Sequence, residues 1–145
     1  MKYLLLMCLG LGINLSLAAQ TDWKALIQQD NVRNFVGHLH QSGNTLNDCV
    51  DIDGVSYHLL SYAIMIESKD ILYQLLFDEN IDLSKTCSDK TILMYAVEYG
   101  NLELVKALVN EGVDIHQKIS TGKSALDLAK QYEQDLIYGY LNSQQ

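Results

Sequence analysis

The stretch Thr91-Ile92-Leu93-Met94-Tyr95-Ala96-Val97-Glu98-Tyr99-Gly100-Asn101-Leu102-Glu103-Leu104-Val105-Lys106-Ala107-Leu108-Val109-Asn110-Glu111-Gly112-Val113-Asp114-Ile115-His116 decides the fold. In its second half Leu104, Val105, Leu108 and Val109 fall at the three-and-four spacing of one buried helical stripe. Thr91 is placed to cap a first helix, because its hydroxyl can accept a bond from a free first-turn amide. Gly112 directly follows the second helix, where a left-handed residue ends it at low cost. Two helices this short cannot bury an apolar face alone, so the pattern requires copies of itself stacked alongside.

The copies are present. Thr91-Ile92-Leu93-Met94-Tyr95-Ala96 recurs as Ser124-Ala125-Leu126-Asp127-Leu128-Ala129 and, more degraded, as His58-Leu59-Leu60-Ser61-Tyr62-Ala63. The closing alanines stand at 63, 96 and 129, a constant step of 33 residues. Ile71-Leu72-Tyr73-Gln74-Leu75-Leu76 and Leu136-Ile137-Tyr138-Gly139-Tyr140-Leu141 repeat the stripe of 104 to 109, and Glu79-Asn80-Ile81-Asp82-Leu83 repeats Glu111 to Ile115. Asp127, three residues after Ser124, predicts a variant of the capping box there.

These residues resemble the ankyrin repeat, whose pattern opens Thr-Pro-Leu-His-x-Ala, continues Gly-x-x-Glu-hydrophobic-Val and closes Gly-Ala-Asp-Val-Asn. Gly100 to Leu108 and Gly112 to His116 lie close to that pattern, whereas Leu59, Ile92 and Ala125 occupy its proline position in a chain without proline. Ser61, Met94 and Asp127 replace its histidine. The resemblance implies an all-α ankyrin-repeat solenoid of about four helix-turn-helix units with hairpin loops, at about 20–54, 55–87, 88–120 and 121–145. Val32 to Ser42 and Gly43-Asn44-Thr45-Leu46-Asn47 supply the faint first unit. The terminal units each have one neighbour, so Trp23 is expected to pack over the open end of the stack, and the polar residues after Gln131 to seal the other.

Residues 1–19 read as an address. Lys2 precedes an apolar run from Tyr3 to Ile13, and Ala18 and Ala19 offer small side chains for cleavage before Gln20. The run is too short for the roughly 20 residues of a spanning helix, so no stable membrane insertion is expected after cleavage. The expected location is a bacterial periplasm or the exterior. The chain carries 10 basic and 18 acidic residues, a formal charge of −8, and Lys2 is the one charge in the leader. With no basic cluster, such a surface repels phosphate backbones and excludes nucleic acid as a natural partner. It suits a basic protein surface.

Chemistry is sparse. No nucleophile elbow, zinc-binding His-Glu-x-x-His or phosphate loop occurs, His38 and His40 point to different helix faces, and His58 and His116 stand apart. The expectation is no enzyme, no catalytic set, no metal and no cofactor. Asp48 to Gly54 imitates a calcium loop, but Cys49 and Leu60 would fall where ligands are required, so it reads as a solvated hairpin tip.

Cys49 and Cys87 occupy comparable places in successive loops, which lie side by side in a stack of the resembled kind. A structural disulfide is the reading taken, beside two unrelated thiols or a redox-sensing pair. In that family the binding surface comprises the loop tips and the exposed side of each first helix. The matching residues are Tyr57, Met65 and Ile66, then Lys90, Glu98 and Tyr99, then Lys123, Gln131 and Tyr132. The resemblance thus implies a monomeric binding module that takes a protein partner on its concave face, such as a basic toxin neutralised by an immunity protein, or an envelope enzyme. An accessory role in periplasmic oxidative-stress defence, of the catalase-supporting type, is the alternative.

Overall fold

The computed structural model describes residues 21–145, and the leader and cleavage site expected from the sequence lie outside the described residues. The elements are α1 (Trp23–Gln28), α2 (Val32–Ser42), β1 (Cys49–Ile52), β2 (Val55–His58), α3 (Leu59–Met65), α4 (Lys69–Leu76), α5 (Ile92–Glu98), α6 (Leu102–Asn110), α7 (Ala125–Gln131) and α8 (Asp135–Asn142). First helices begin at 59, 92 and 125 and second helices at 69, 102 and 135, so the step of 33 in sequence is the step of the architecture. The first helices form one layer, α3 on α5 on α7; α2, α4, α6 and α8 form the other, and each helix pair spans the two. Among the described residues no helix is long and apolar enough to cross a membrane.

The apolar positions of both halves meet between the layers. Ile71, Leu75 and Leu108 are fully buried with Leu60, Leu93 and Met94, forming one continuous core from Trp23 to Leu141. At the open end Trp23 is buried, its ring edge-on to Phe35 at 6.1 Å. At the other end Gln131, Glu133, Asp135 and Asn142 to Gln145 are exposed, the polar finish expected, and Leu136 and Tyr138 are exposed beside them on α8. Leu136 stands where α6 has Glu103 and α4 has Asp70, on the side turned away from the core.

Helix starts follow the local chemistry. Thr91 accepts from the Met94 amide at 3.2 Å, and Ser124 and Asp127 form a reciprocal capping box. His58 takes the equivalent place in the second unit: its Nδ1 accepts from the Leu60 amide at 3.2 Å. Ser68, at the start of α4, makes no cap of its own. Its hydroxyl donates to Asp30 at 2.5 Å, and the same carboxylate accepts from the amides of Ile71 at 3.0 Å and Asp70 at 3.2 Å. The first unit therefore caps the second unit's outer helix, which welds the two. These bonds hold the Asp30 carboxyl below its ordinary range against the desolvation that would raise it.

Each helix-helix turn passes through one left-handed residue, at Asp30, Glu67, Gly100 and Glu133. Only at 100 is it glycine, and there a β-carbon would come within 2.9 Å of the Gln134 side chain from the next unit.

The acidic stretch forms a hairpin. β1 and β2 pair antiparallel with Val50 opposite Tyr57, and the turn has positive φ at both Asp53 and Gly54, the geometry that suits a two-residue connection. Ser88 and Asp89 repeat that geometry in the next loop. Successive loops are then laced together. Asn47 bonds Asn80 and Asp82 at 2.8 and 2.7 Å, Ser88 donates to the Ser56 carbonyl, and Asp89 accepts from the Ser120 amide at 3.0 Å. Cys49 and Cys87 are joined in a disulfide between the same loops, with α-carbons 5.9 Å apart.

Candidate functional site

The residues at positions 57, 90 and 123, at 65, 98 and 131, and at 66, 99 and 132 come from corresponding places in successive units, and the first-helix layer with its hairpin loops brings them to one face. Lys90, before α5, reaches Glu98 at its end with 2.5 Å between Nζ and Oε2. Lys123 and Gln131 repeat that pairing one unit on as a hydrogen bond. Tyr132 donates its hydroxyl to the other Glu98 oxygen at 3.2 Å. One carboxylate is thus held by a lysine of its own unit and a tyrosine of the next.

An aromatic cluster continues from it. The Lys90 ammonium lies 5.3 Å from the centre of the Tyr95 ring, and Tyr57 on β2 packs against Tyr95 at 6.3 Å and Tyr62 at 5.3 Å. Beyond Tyr62, Lys24 on α1 pairs with Asp53 at the hairpin tip at 2.5 Å. Burial, with Tyr57 and Glu98 nearby, pushes the Tyr95 phenol up to about 12. Burial chiefly raises Tyr62, Tyr99 and Tyr132 too, reinforced at the last two by the Glu98 charge. All four phenols are therefore protonated at neutral pH, so the face presents rings, hydroxyl donors and one oriented carboxylate.

The structure separates residues that the sequence pattern treats alike. Tyr99 is 43% exposed, whereas Tyr132, expected to stand free beside it, is half-buried against the core and bonded to Glu98. Met65 and Ile66 pack partly against the core, giving the second unit an apolar shoulder where its neighbours carry Glu98 and Tyr99. Tyr62 and Tyr95 had escaped the sequence reading. Their signal was present, since each immediately precedes an alanine of the step, but a tyrosine there reads as core until Tyr57 is seen to pack on both.

A family model described as ankyrin repeats in three copies matches residues 15–119 and 60–141. The chain belongs to the ankyrin-repeat family. It is similar to the ankyrin repeat and SAM domain-containing protein 6 of Rattus norvegicus, 41% identical over 59 residues, or 39% of this chain and 7% of that protein. The Mus musculus protein of the same name shows 41% identity over 59 residues, again 39% of this chain and 7% of that one. The chain spans only this small share of those relatives. Ankyrin repeats are protein–protein interaction modules and typically non-enzymatic. The ankyrin hairpins and first helices here carry the tyrosines and the braced carboxylate.

Proposed function

We propose that the protein is an exported binding module that captures a protein partner on the tyrosine face of its first-helix layer. The observation that carries this reading is Glu98, aligned by Lys90 and Tyr132 amid the rings of Tyr57, Tyr95 and Tyr99. Rigid aromatic anchors around a pre-oriented charge lower the ordering cost of association and suit the centre of an interface. The formal charge of −8 favours a basic partner, such as a toxin or enzyme of the cell envelope, with the protein as its antidote or accessory. The export reading rests on the sequence of residues 1–19 and is supported by the Cys49–Cys87 bond, because disulfides persist in oxidising compartments. Exported protein is expected to begin at Gln20 and weigh two hydrogens less than the dithiol form. Intact-mass measurement reads both, and a chain that keeps residues 1–19 overturns the export reading.

Replacing Tyr99 and Tyr132 with Ala is expected to weaken binding to a partner purified with the native protein by about 2 kcal/mol or more. The helical signal should change little, since neither ring is part of the fully buried core. Leu108→Ala is the contrasting control: it opens a cavity in the stack and lowers stability. Unfolding caused by the tyrosine changes would make those rings core, and undiminished binding would remove this face from recognition.

A further inference from the structure

A recess lies in the outer-helix layer, away from the tyrosine face. It is a groove of about 550 Å³ between the loops that follow α4 and α6, with Phe77, Ile81 and Val113 among its apolar lining. Phe77 is 66% exposed, and Tyr73 one turn earlier is 58% exposed. Their rings lie 6.2 Å apart and within 2° of parallel. Two large adjacent rings left to solvent form a contiguous apolar patch, the kind of surface that marks interaction sites.

The groove is rimmed by carboxylates. Asp78, Asp82 and Asp114 turn inward to accept from the amides of Asn80, Ser84 and His116, while Glu79 and Glu111 make no such bond. The ion pairs among the described residues, Lys24–Asp53, Lys90–Glu98 and Lys106–Glu103, involve none of the five. Lys85 acts on Asp82 only at a distance. The C-terminal ends of α4 and α6 open onto the same place and add their partial negative charge.

A parallel pair of rings beside unpaired carboxylates matches one cationic group better than others. A guanidinium can lie flat on a ring while its in-plane N–H groups reach carboxylate oxygens; an ammonium ion lacks that planar fork. We propose that this groove docks an arginine-bearing segment of a protein partner. Docking there does not depend on the tyrosine face, and either site can fail without the other.

The test is titration of the isolated, disulfide-intact protein with a blocked hexa-arginine peptide and, separately, a blocked hexalysine peptide, followed by amide NMR. Hexa-arginine is expected to shift the amides of residues 77–83 and 112–114 and to bind about fivefold more tightly than hexalysine. Glu79→Lys with Glu111→Lys should weaken it at least about tenfold, and Phe77→Ala should abolish the preference for arginine. All three side chains are exposed, so the variants should keep the native spectrum elsewhere. Equal affinity for both peptides, shifts centred on Tyr99 and Tyr132, or indifference to the two charge reversals would each overturn the proposal.

Discussion

Reducing the Cys49–Cys87 bond is expected to lower the stability of the protein by about 4 kcal/mol. The cysteines are 38 residues apart, and the loss of unfolded-chain entropy on closing a loop of that size corresponds to about this value. Cys49 is in β1 and Cys87 lies in the next loop just before its turn at Ser88 and Asp89, so the bond ties the faint first unit to the better-formed ones at the place where Asn47 and Ser88 already lace the loops. Urea unfolding with and without reductant measures the effect, and Cys49→Ser with Cys87→Ser should reproduce it. The first unit should loosen before the others, because its remaining ties to the second, Asp30 with Ser68 and Ile71 and Asn47 with Asn80 and Asp82, are noncovalent and it has a neighbour on one side alone. Tyr57 stands on the strand paired with β1, so partner binding should weaken as well. Equal midpoints for the oxidised and reduced forms would show that the bond adds nothing to stability.

Acidification from pH 7 to 5 is expected to remove about 2 kcal/mol of stability, rising to about 3 kcal/mol near pH 4, through His58 alone. The ring is 1% exposed, and burial chiefly, opposed by Asp82 and helped by Lys85, lowers the pKa from 6.5 to about 4. The fold thus favours the neutral ring. Its stability is fully present above the unfolded value of 6.5 and is lost as pH falls towards the folded value of about 4. The structural cost is specific. Nδ1 caps α3 by accepting from the Leu60 amide, so the second proton enters at Nδ1 and sets a donor against that amide, while Nε2, which carries the first proton, has no partner to share the charge. Asp30, Asp48, Asp82 and Asp127 all have lowered pKa values, so their contributions persist across this window and are lost only below the ordinary carboxylate value of 3.8. His58→Thr, which copies the cap at Thr91, should flatten the slope between pH 7 and 5 in urea unfolding. An unchanged slope would place the acid sensitivity elsewhere.

The sequence by itself determined the repeat, its step of 33 residues, the caps at Thr91 and Ser124, the helix stop at Gly112 and the hairpin tip after Asp51. Each depends on neighbours a few residues away in the chain, where hydrogen-bond reach and helical periodicity leave few alternatives. The alignment of units also placed the surface positions on one face, because a regular stack carries every copy of a position to the same side. Only the tertiary structure decided what those side chains do there. Tyr132 meets Glu98 across 34 residues, and Asp30 caps a helix that begins at residue 69. His58, a lone histidine in the sequence, is buried as a helix cap. Such contacts join residues from different units, and their partners are set by the rotation and spacing of one unit on the next, which arise from packing of the whole core.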